Sequence, residues 1–176
     1  MTYIEKKEEA VEILLQQKPL VIYQNNSEWG PRALGNRSIL FDPRNPNAKE
    51  IVNKFKKREW WRPLAGTVLL EHAHDYFNLG SLRESPYMSF AVKAKDKAIK
   101  EVPSIVHVDN TCRVQTLKRL DNPNYYDLIE YFYNKTNVPI LLNTSFNLAG
   151  SPIVENESFL QYTIENSQFK DVYKPT

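Results

Sequence analysis

Alternating apolar and polar positions divide the chain into short helices and strands. Ile4, Val11, Leu14 and Leu15 share one helical face and Glu and Lys cover the other, which predicts a helix over residues 3–17 that Pro19 ends. Continuous apolar runs predict buried strands, and alternating runs predict half-buried ones. The predicted strands span residues 20–23, 38–41, 67–70, 87–92, 105–108, 113–117, 138–142 and 171–173.

Three further helices follow from the spacing of apolar residues. They are predicted over about residues 47–56, 124–135 and 155–165, with Pro123 in the first turn of the second. Helices and strands are interspersed, and no repeat, low-complexity tract or linker divides the sequence. The pattern therefore predicts an α/β (α+β) fold with a central sheet, formed by one domain over residues 1–176.

Composition excludes several classes of protein. Hydrophobic residues make up 41% of the chain and charged residues 25%, which is typical of soluble globular domains. No apolar run approaches the roughly 20 residues of a membrane helix, and the first residues lack the apolar core of a signal peptide. A single cysteine, Cys112, leaves no internal disulfide and fits a reducing compartment. We expect a soluble, cytoplasmic protein.

Positive charge is concentrated in one part of the chain. The net charge is only +2, yet residues 24–64 contain nine basic and four acidic residues. Such a local excess indicates a polyanionic ligand, although a solvated helix face over residues 49–58 would give the same count of lysines.

The stretch from Ser27 to Ser38 is the strongest candidate for a binding site. It holds two of the five glycines of the chain, a proline, Arg32 and Arg37. Glycine permits close backbone approach to a ligand, and proline fixes one dihedral. The planar guanidinium group binds phosphate or carboxylate oxygens. This stretch therefore predicts an anion-binding loop.

Three other polar clusters follow predicted elements. In the segment 56–63, Lys56 and Arg58 would point together if the chain is extended there. In the segment 107–115, the odd-numbered residues would share one side of a strand. The third cluster is the polar turn predicted over residues 143–147.

Five strings in chain order resemble the C-terminal domain of the nodulation- and antibiotic-type O-carbamoyltransferases. They are Gly30–Ser38, Lys56–Pro63, Ser85–Met88, His107–Thr116 and Asn143–Asn147. The resemblance spans about residues 23–154, so that residues 1–19 would form an N-terminal helix preceding the family core. The family usually has glycine at Asn110, alanine at Cys112 and proline at Gly66, and these are departures from its pattern.

The resemblance implies a YrdC-like fold, which is an open twisted mixed sheet with flanking helices and a positively charged concave face. It further implies that the domain forms carbamoyl-adenylate from ATP and carbamoyl phosphate, with Mg²⁺ accompanying the nucleotide. A separate actin-like domain, acting in trans or absent from these 176 residues, would pass the carbamoyl group to a hydroxyl acceptor. No P-loop is present, so ATP would be held without one.

The expected site residues combine the resemblance with the charge that such chemistry must neutralise. Lys56-x-Arg58 and Ser145-x-Asn147 match two signatures of YrdC-like nucleotide sites, and acyl-adenylate formation relies on cationic clamps. The expected catalytic residues are Arg32, Lys56, Arg58 and Arg113. The expected substrate- and nucleotide-binding residues are Arg37, His107, Thr111, Asn143, Ser145 and Asn147, and no metal site made of protein ligands alone is expected.

Simpler roles stay open for several of these residues. Arg37 would equally pair with Asp42 or Glu59, and His107 would equally be a satisfied strand histidine. Asn143 and Thr144 also suit a turn or a helix cap. His72 and His74 only superficially resemble a metal pair.

A binding module is the alternative to an enzyme. The basic segment over residues 24–64 and the interleaved Trp29, Trp60 and Trp61 would suit a phosphate backbone with stacked bases. A non-catalytic nucleotide- or nucleic-acid-binding module therefore remains the second interpretation, with carbamoyl chemistry as the first.

Overall fold

The structure, a computed structural model, describes residues 1–175, and within that range nine strands form one mixed sheet with helices packed against it. The strands are β1 (Thr2–Ile4), β2 (Leu20–Tyr23), β3 (Arg37–Phe41), β4 (Ala65–Leu69), β5 (Phe77–Asn78), β6 (Ala91–Ala94), β7 (Thr111–Leu117), β8 (Ile140–Ser145) and β9 (Asp171–Tyr173). The helices are α1 (Lys7–Leu15), α2 (Ala48–Phe55), α3 (Ala73–Tyr76), α4 (Asp96–Glu101), α5 (Pro123–Thr136) and α6 (Glu157–Glu165). The α/β class and the mixed sheet expected from the sequence are confirmed.

Strand β8 lies at the centre of the sheet, whose order is β1-β9-β2-β3-β8-β4-β7-β6-β5. It runs antiparallel to both neighbours, β3 and β4, and β4 runs parallel to β7. The end of β8 therefore lies beside the beginnings of β3, β4 and β7. In register terms, Ser145 faces Ser38 and Asn143 faces Ala65. One edge of the sheet thus collects four of the segments that carry the polar clusters.

Helix α5 covers the sheet with an apolar face. Its first turn begins at Pro123, where a missing N–H costs no helical hydrogen bond, and the Asn122 side chain caps it by accepting from the Tyr125 N–H. The helix ends at Asn137, which has a left-handed φ of 58°. The residues that α5 buries are Tyr125, Leu128, Ile129 and Phe132, and the helix also packs against α1.

The predicted helix over residues 3–17 was wrong at its start. Residues Thr2–Ile4 form β1, which pairs in parallel with Asp171–Tyr173, and α1 begins only at Lys7. Ile4 lies at a helical spacing from the later leucines, so the apolar pattern of this strand and the following helix is the same as that of one longer helix. The strand is selected by pairing with residues almost a whole chain length away, which local periodicity does not report.

Two predicted middle strands were also misplaced. Residues 87–90 are loop and β6 begins only at Ala91. Residues 105–108 do not form a strand either, because Ile105 ends a 3₁₀ turn over Pro103–Ile105 and residues 106–108 are loop. The predicted polar turn at 143–147 begins too early, because β8 continues to Ser145. Its polar residues stay in the strand because β3 and β4 hydrogen-bond to both of its edges. The short elements α3, α4 and β5 were not predicted.

Membrane insertion has no candidate segment in the described part of the chain. Across residues 1–175, every helix is too short or too polar to cross a bilayer.

Candidate anion-binding site

The anion loop, defined here as residues 28–37, is the later part of the connection from β2 to β3 together with Arg37, the first residue of β3, and lies at the edge of the sheet where β8 ends. Gly30 and Gly35 both have positive φ, at 98° and 109°. At Gly35 the requirement is also steric, because an added Cβ would lie 2.2 Å from Cδ1 of Tyr125. Glycine there lets the loop lie directly on α5.

Side chains of the sheet hold the anion loop by its backbone. Gln115 Nε2 donates to the Leu34 carbonyl at 3.0 Å, and Asn143 Nδ2 donates to the Ala33 carbonyl at 3.2 Å. Asn143 also donates to Thr67 Oγ1 at 2.9 Å, and Thr67 donates to Gln115 Oε1 at 2.9 Å. Buried polar residues on three adjacent strands therefore form a platform under the loop.

The platform explains what sequence reasoning missed. Thr67 was not a candidate, although it is a polar residue inside the otherwise apolar strand β4, and Gln115 fell within the predicted polar cluster over residues 107–115 without being an expected site residue. Asn143 was a predicted binding residue; the structure buries it completely and gives its Nδ2 to the platform. Its Oδ1 has no hydrogen-bond partner among the residues that the structure describes.

Arg32 is exposed at the tip of the anion loop. Within residues 1–175 its guanidinium makes no salt bridge and no side-chain hydrogen bond, so it is not paired with Glu28 or Glu59. Arg32 lowers the pKa of Arg113, whose burial is the larger cause of that shift. The guanidinium groups of Arg32, in the anion loop, and Arg113, in β7, therefore lie close enough for their positive charges to interact.

Arg37 has a different environment from Arg32. It is buried with its Nη1 and Nη2 directed at the backbone carbonyls of Gln24 and Asn25, at 2.5 and 2.9 Å. Its guanidinium carbon lies 3.8 Å from the centre of the Tyr23 ring.

The alternative ion pairs for Arg37 are not formed, because Asp42 pairs with Arg44 and Glu59 with Arg62. Arg37 anchors the loop, and its edge also lines a neighbouring depression.

Lys56 connects the two expected signature motifs. Only 2% of the residue is exposed, and its Nζ donates to Asn147 Oδ1 at 2.8 Å, to Ser145 Oγ at 3.2 Å and to the Ser145 carbonyl. Burial, and after it the positive charge of Arg58, lowers the pKa of Lys56 well below its usual value. The Lys-x-Arg and Ser-x-Asn strings are therefore in direct contact.

Arg58 lies near Lys56, as predicted, but the backbone conformation between them is not the predicted one. The chain is not extended there, because α2 ends just before Lys56 and Lys57 has a left-handed φ of 54°. Arg58 Nε donates to Asn53 Oδ1 at 2.6 Å, while its buried Nη2 has no partner in the described part of the chain. Burial, and then the charge of Arg62, lowers the pKa of Arg58.

A depression of about 270 Å³, here called the arginine pocket, brings these cations together. Its polar walls come from the anion loop, the segment after α2, the start of β7 and the end of β8. Among residues 1–175, no aspartate or glutamate lines it. The pocket is lined by side chains that carry a guanidinium, imidazole or hydroxyl group: Arg32, Arg58, Arg62, Arg113, His107, Thr144 and Ser145.

Ser145 also lines two further depressions. The lysine pocket, of about 530 Å³, is lined by Lys56, Lys57, Arg58 and Asn147 among others. The aromatic pocket, of about 930 Å³, is lined by Trp29, Pro31, Ile153, Glu155 and other residues. Ser145 therefore stands where two cationic pockets and one aromatic pocket adjoin.

The expected strand over residues 107–115 is in fact a turn followed by a strand. Asn110 N–H donates to the His107 carbonyl at 2.9 Å, and β7 begins at Thr111. Asn110 has a left-handed φ of 58°, a conformation that asparagine and glycine adopt more readily than other residues. His107 lines the arginine pocket, whereas Thr111 hydrogen-bonds to Asp109 Oδ1 at 2.7 Å.

Six of the most exposed large apolar side chains lie on segments around these pockets. Trp29 and Val108 are fully exposed, at 100% and 102%. Each lies within two residues of a residue that lines the arginine pocket, and the same holds for Trp60, Trp61, Tyr87 and Phe90. The tryptophans are thus on the rim and not in the core.

Metal and thiol chemistry have little support from the side chains. Across the described range, His, Cys, Asp and Glu form no group of three that would hold a metal ion. His72 packs on Tyr133 with ring centres 4.7 Å apart. Burial raises the pKa of Cys112 to about 12, which makes it a poor nucleophile near neutral pH.

Residues 11–173 match the family model described as carbamoyltransferase C-terminus. The chain is 47% identical over 137 residues to the nodulation protein NolO of Bradyrhizobium diazoefficiens, covering 77% of this chain and 25% of that protein. It is 38% identical over 142 residues to nodulation protein U of Sinorhizobium fredii, covering 81% and 25%. An uncharacterised protein of Methanocaldococcus jannaschii is 45% identical over 145 residues, covering 82% and 28%.

The fold is similar to part of HypF. A crystal structure of full-length HypF in the phosphate- and nucleotide-bound form superposes with a TM-score of 0.67 at 16% identity, covering 98% of this chain and 25% of that one. HypF includes a YrdC-like domain, so the expected fold is confirmed. The chain spans about a quarter of the length of the curated relatives it matches.

Proposed function

The chain belongs to the carbamoyltransferase C-terminus family, and from that membership we propose that it binds ATP and carbamoyl phosphate and forms carbamoyl-adenylate. The observation that carries the proposal is the meeting of three pockets at Ser145, two of them cationic and one aromatic. Two anionic substrates, one of them a nucleoside triphosphate, match that combination of surfaces.

The arginine pocket is proposed to hold carbamoyl phosphate. Arg32, Arg58 and Arg113 offer planar pairs of donors to its oxygens, and the lack of a carboxylate among the lining residues 31–145 leaves their charge available. These arginines do not have to leave an existing ion pair in order to bind the oxygens of carbamoyl phosphate. The cations would stabilise the negative charge that moves between oxygens during the reaction.

The triphosphate and the nucleoside are assigned to the other two pockets. Lys56, Lys57 and Arg58 line the lysine pocket and would neutralise phosphates. Asn147 offers hydrogen bonds in the same pocket, and Ser145 offers them at its junction with the arginine pocket. Trp29 and Pro31 in the aromatic pocket provide apolar surface for a base, and Glu155 provides an acceptor for ribose hydroxyls. The α-phosphate would then lie close to Ser145.

The reaction consumes one water. Carbamoyl phosphate, ATP and water give carbamoyl-adenylate, pyrophosphate and inorganic phosphate. Water cleaves the bond between the carbamoyl and phosphate groups, which releases inorganic phosphate and leaves carbamate. A carbamate oxygen then forms a bond to the α-phosphorus of ATP, and the bond from that phosphorus to pyrophosphate breaks. The work of the chain's own residues is positioning and charge neutralisation, as in other phosphate chemistry.

Magnesium fits this proposal as a companion of the nucleotide. Since residues 1–175 provide no cluster of three metal-binding side chains, the phosphate oxygens would supply most of its ligands. When bound, Mg²⁺ adds positive charge to the triphosphate. Lys56 and Arg58, which line the lysine pocket, would neutralise the remaining phosphate charge.

Transfer to an acceptor is assigned to a partner domain. The chain covers only about a quarter of each relative, so the complete transferases contain further residues that would bind the acceptor. We propose an actin-like domain in that role, receiving the carbamoyl group and passing it to a hydroxyl. The chain alone would then stop at the adenylate.

Pyrophosphate release tests the proposal. Purified protein is mixed with ATP, Mg²⁺ and carbamoyl phosphate, pyrophosphate is measured enzymatically, and carbamoyl-adenylate is sought by mass spectrometry. Release should require both substrates and should be lost in Arg113→Ala. The matched control is Arg83→Ala, an exposed arginine after β5, which should leave the rate unchanged.

A binding-only role gives a different result. Saturable ATP binding without pyrophosphate release would favour the non-catalytic nucleotide-binding alternative. Absence of ATP binding together with RNA or DNA binding that weakens steeply with salt would favour a nucleic-acid module instead. Either result would overturn the enzymatic proposal.

A further inference from the structure

The carboxylate of Glu28 holds the backbone of the anion loop. Its Oε1 accepts hydrogen bonds from the N–H groups of Leu34 and Asn36, both at 2.7 Å, and of Arg37 at 3.2 Å. These three donors enclose Gly35, the residue that packs on Tyr125. One side-chain oxygen thus fixes the orientation of three peptide groups in four consecutive residues.

Glu28 and the platform act on opposite sides of the same backbone. Gln115 and Asn143 bind carbonyl oxygens of the loop, whereas Glu28 binds its N–H groups. The one residue of the loop that reaches the arginine pocket with a charge is Arg32, and it has no side-chain partner of its own within residues 1–175. The direction of Arg32 therefore depends on the backbone that carries it.

We infer that Glu28 is a positioning residue for anion binding, acting through the anion loop on Arg32. The inference rests on the proposed function in taking the physiological anion to be a phosphate group of carbamoyl phosphate or ATP. Glu28 itself need not touch that anion. Its contribution is to keep the loop in one conformation, so that binding does not have to order it.

Charge and position predict opposite effects at Glu28. A negative charge near a cationic pocket repels anions, so removing it for electrostatic reasons alone would strengthen anion binding. Removing the acceptor of three N–H groups frees the loop and would weaken binding. The sign of the change in affinity therefore separates the two roles.

The test uses inorganic pyrophosphate as the probe and calorimetry at fixed ionic strength as the measurement. Glu28→Gln keeps the reach and one acceptor oxygen without the charge, whereas Glu28→Asp keeps the charge on a shorter side chain. We expect Glu28→Gln to bind at least as tightly as the natural chain. We expect Glu28→Asp and Glu28→Ala to bind on the order of 10- to 100-fold more weakly.

Two further variants make the test specific. Glu84→Ala removes a carboxylate that lines the same depression of about 390 Å³ as Glu28 and that pairs with Lys118, so it matches the change in charge. It should not weaken binding. Combined with Arg32→Ala, Glu28→Ala should cost little more than Arg32→Ala alone, because both remove the same contact.

The outcomes separate this inference from the proposed function. Tighter binding in both Glu28→Ala and Glu28→Gln with unchanged binding in Glu28→Asp would overturn the positioning role. If the natural chain fails to bind pyrophosphate, the proposed function is in question and hydrogen exchange decides about Glu28. The amides of Leu34, Asn36 and Arg37 should then lose protection from exchange in Glu28→Asp. Full protection of these amides would overturn the inference. This measurement needs only Glu28→Asp, so it also serves if Glu28→Ala does not fold.

Discussion

Lys56 Nζ donates a hydrogen bond of 2.8 Å to Asn147 Oδ1, joining residues that lie 91 positions apart in the chain. Lys56 lies at the end of α2, and Asn147 lies two residues beyond β8. The contact makes the lysine signature and the serine–asparagine signature parts of one structure. A substitution in either motif should therefore alter the conformation of the other.

Replacing Arg32 should weaken anion binding without affecting the fold. Arg32 is exposed and its charge-assisted contact to a bound phosphate is expected to contribute about 1.5–3 kcal/mol, or roughly 10- to 100-fold in affinity. Arg32→Ala is compared with Arg83→Ala by calorimetric titration of carbamoyl phosphate, with circular dichroism as the check on folding. Equal affinities for the two variants would show that Arg32 does not contact the ligand.

Lys56 should make stability rise with alkaline pH. Its folded-state pKa is lowered, so above that value the unfolded chain binds more protons than the folded one, and the free energy of unfolding increases up to the usual lysine pKa of about 10.4. Urea unfolding of the natural chain and of Lys56→Met is compared from pH 7 to pH 10. The difference between them should shift in favour of the natural chain as pH rises.

The same residue should take up protons when a phosphate binds. A bound anion favours the charged form of Lys56 and raises its pKa toward the ordinary value. Calorimetry of pyrophosphate binding in buffers of different ionisation enthalpy reports this uptake at a pH between the two pKa values. The uptake should be absent from Lys56→Met, and an identical uptake in that variant would assign the proton elsewhere.

Gly35→Ala should destabilise the protein by about 2–4 kcal/mol, since it combines an unfavourable φ of 109° with a Cβ placed 2.2 Å from the Tyr125 ring. Gly80→Ala is the matched control, because Gly80 also has positive φ but a Cβ there meets no atom within 4 Å in the described structure. It should cost only about 1 kcal/mol. Thermal unfolding of both variants measures the difference, and equal losses would show that the Tyr125 contact is unimportant.

Cys112 should resist alkylation in the folded protein. Its side chain is fully buried, and that burial raises the thiol pKa to about 12. Iodoacetamide at pH 8, followed by mass spectrometry, should leave it unmodified until denaturant is added. Rapid modification of the native protein would mean that β7 opens readily.

The sequence was sufficient for the fold class and for the elements whose apolar pattern is local. Strands β2, β3 and β9 and helix α5 were predicted within one or two residues, because their own side chains form the core. Strand β1 was not predicted, since its conformation is determined by pairing with β9 at the other end of the chain. Tertiary hydrogen bonds override local helix preference there.

The site was predictable in its composition and not in its geometry. The basic and polar strings named the cations that line the arginine and lysine pockets, Arg32, Lys56, Arg58 and Arg113, but they gave no sign that Arg37 is used to hold backbone carbonyls. Glu28 and Gln115 support the loop by contacts to main-chain atoms. The sequence shows that these side chains are polar, but it does not show which main-chain atoms they contact, so these contacts required the structure.

The central position of β8 has a consequence for how the protein is made. A ribosome has synthesised the segments containing Arg32, Lys56, Arg58 and Arg113 well before residues 140–145 emerge, and β3 and β4 join only through that late strand. Contacts of such long sequence separation form slowly. Nascent chains would therefore carry these four positive residues on segments that are not yet joined into a pocket, and ligand recognition would begin only after residues 140–145 have been translated.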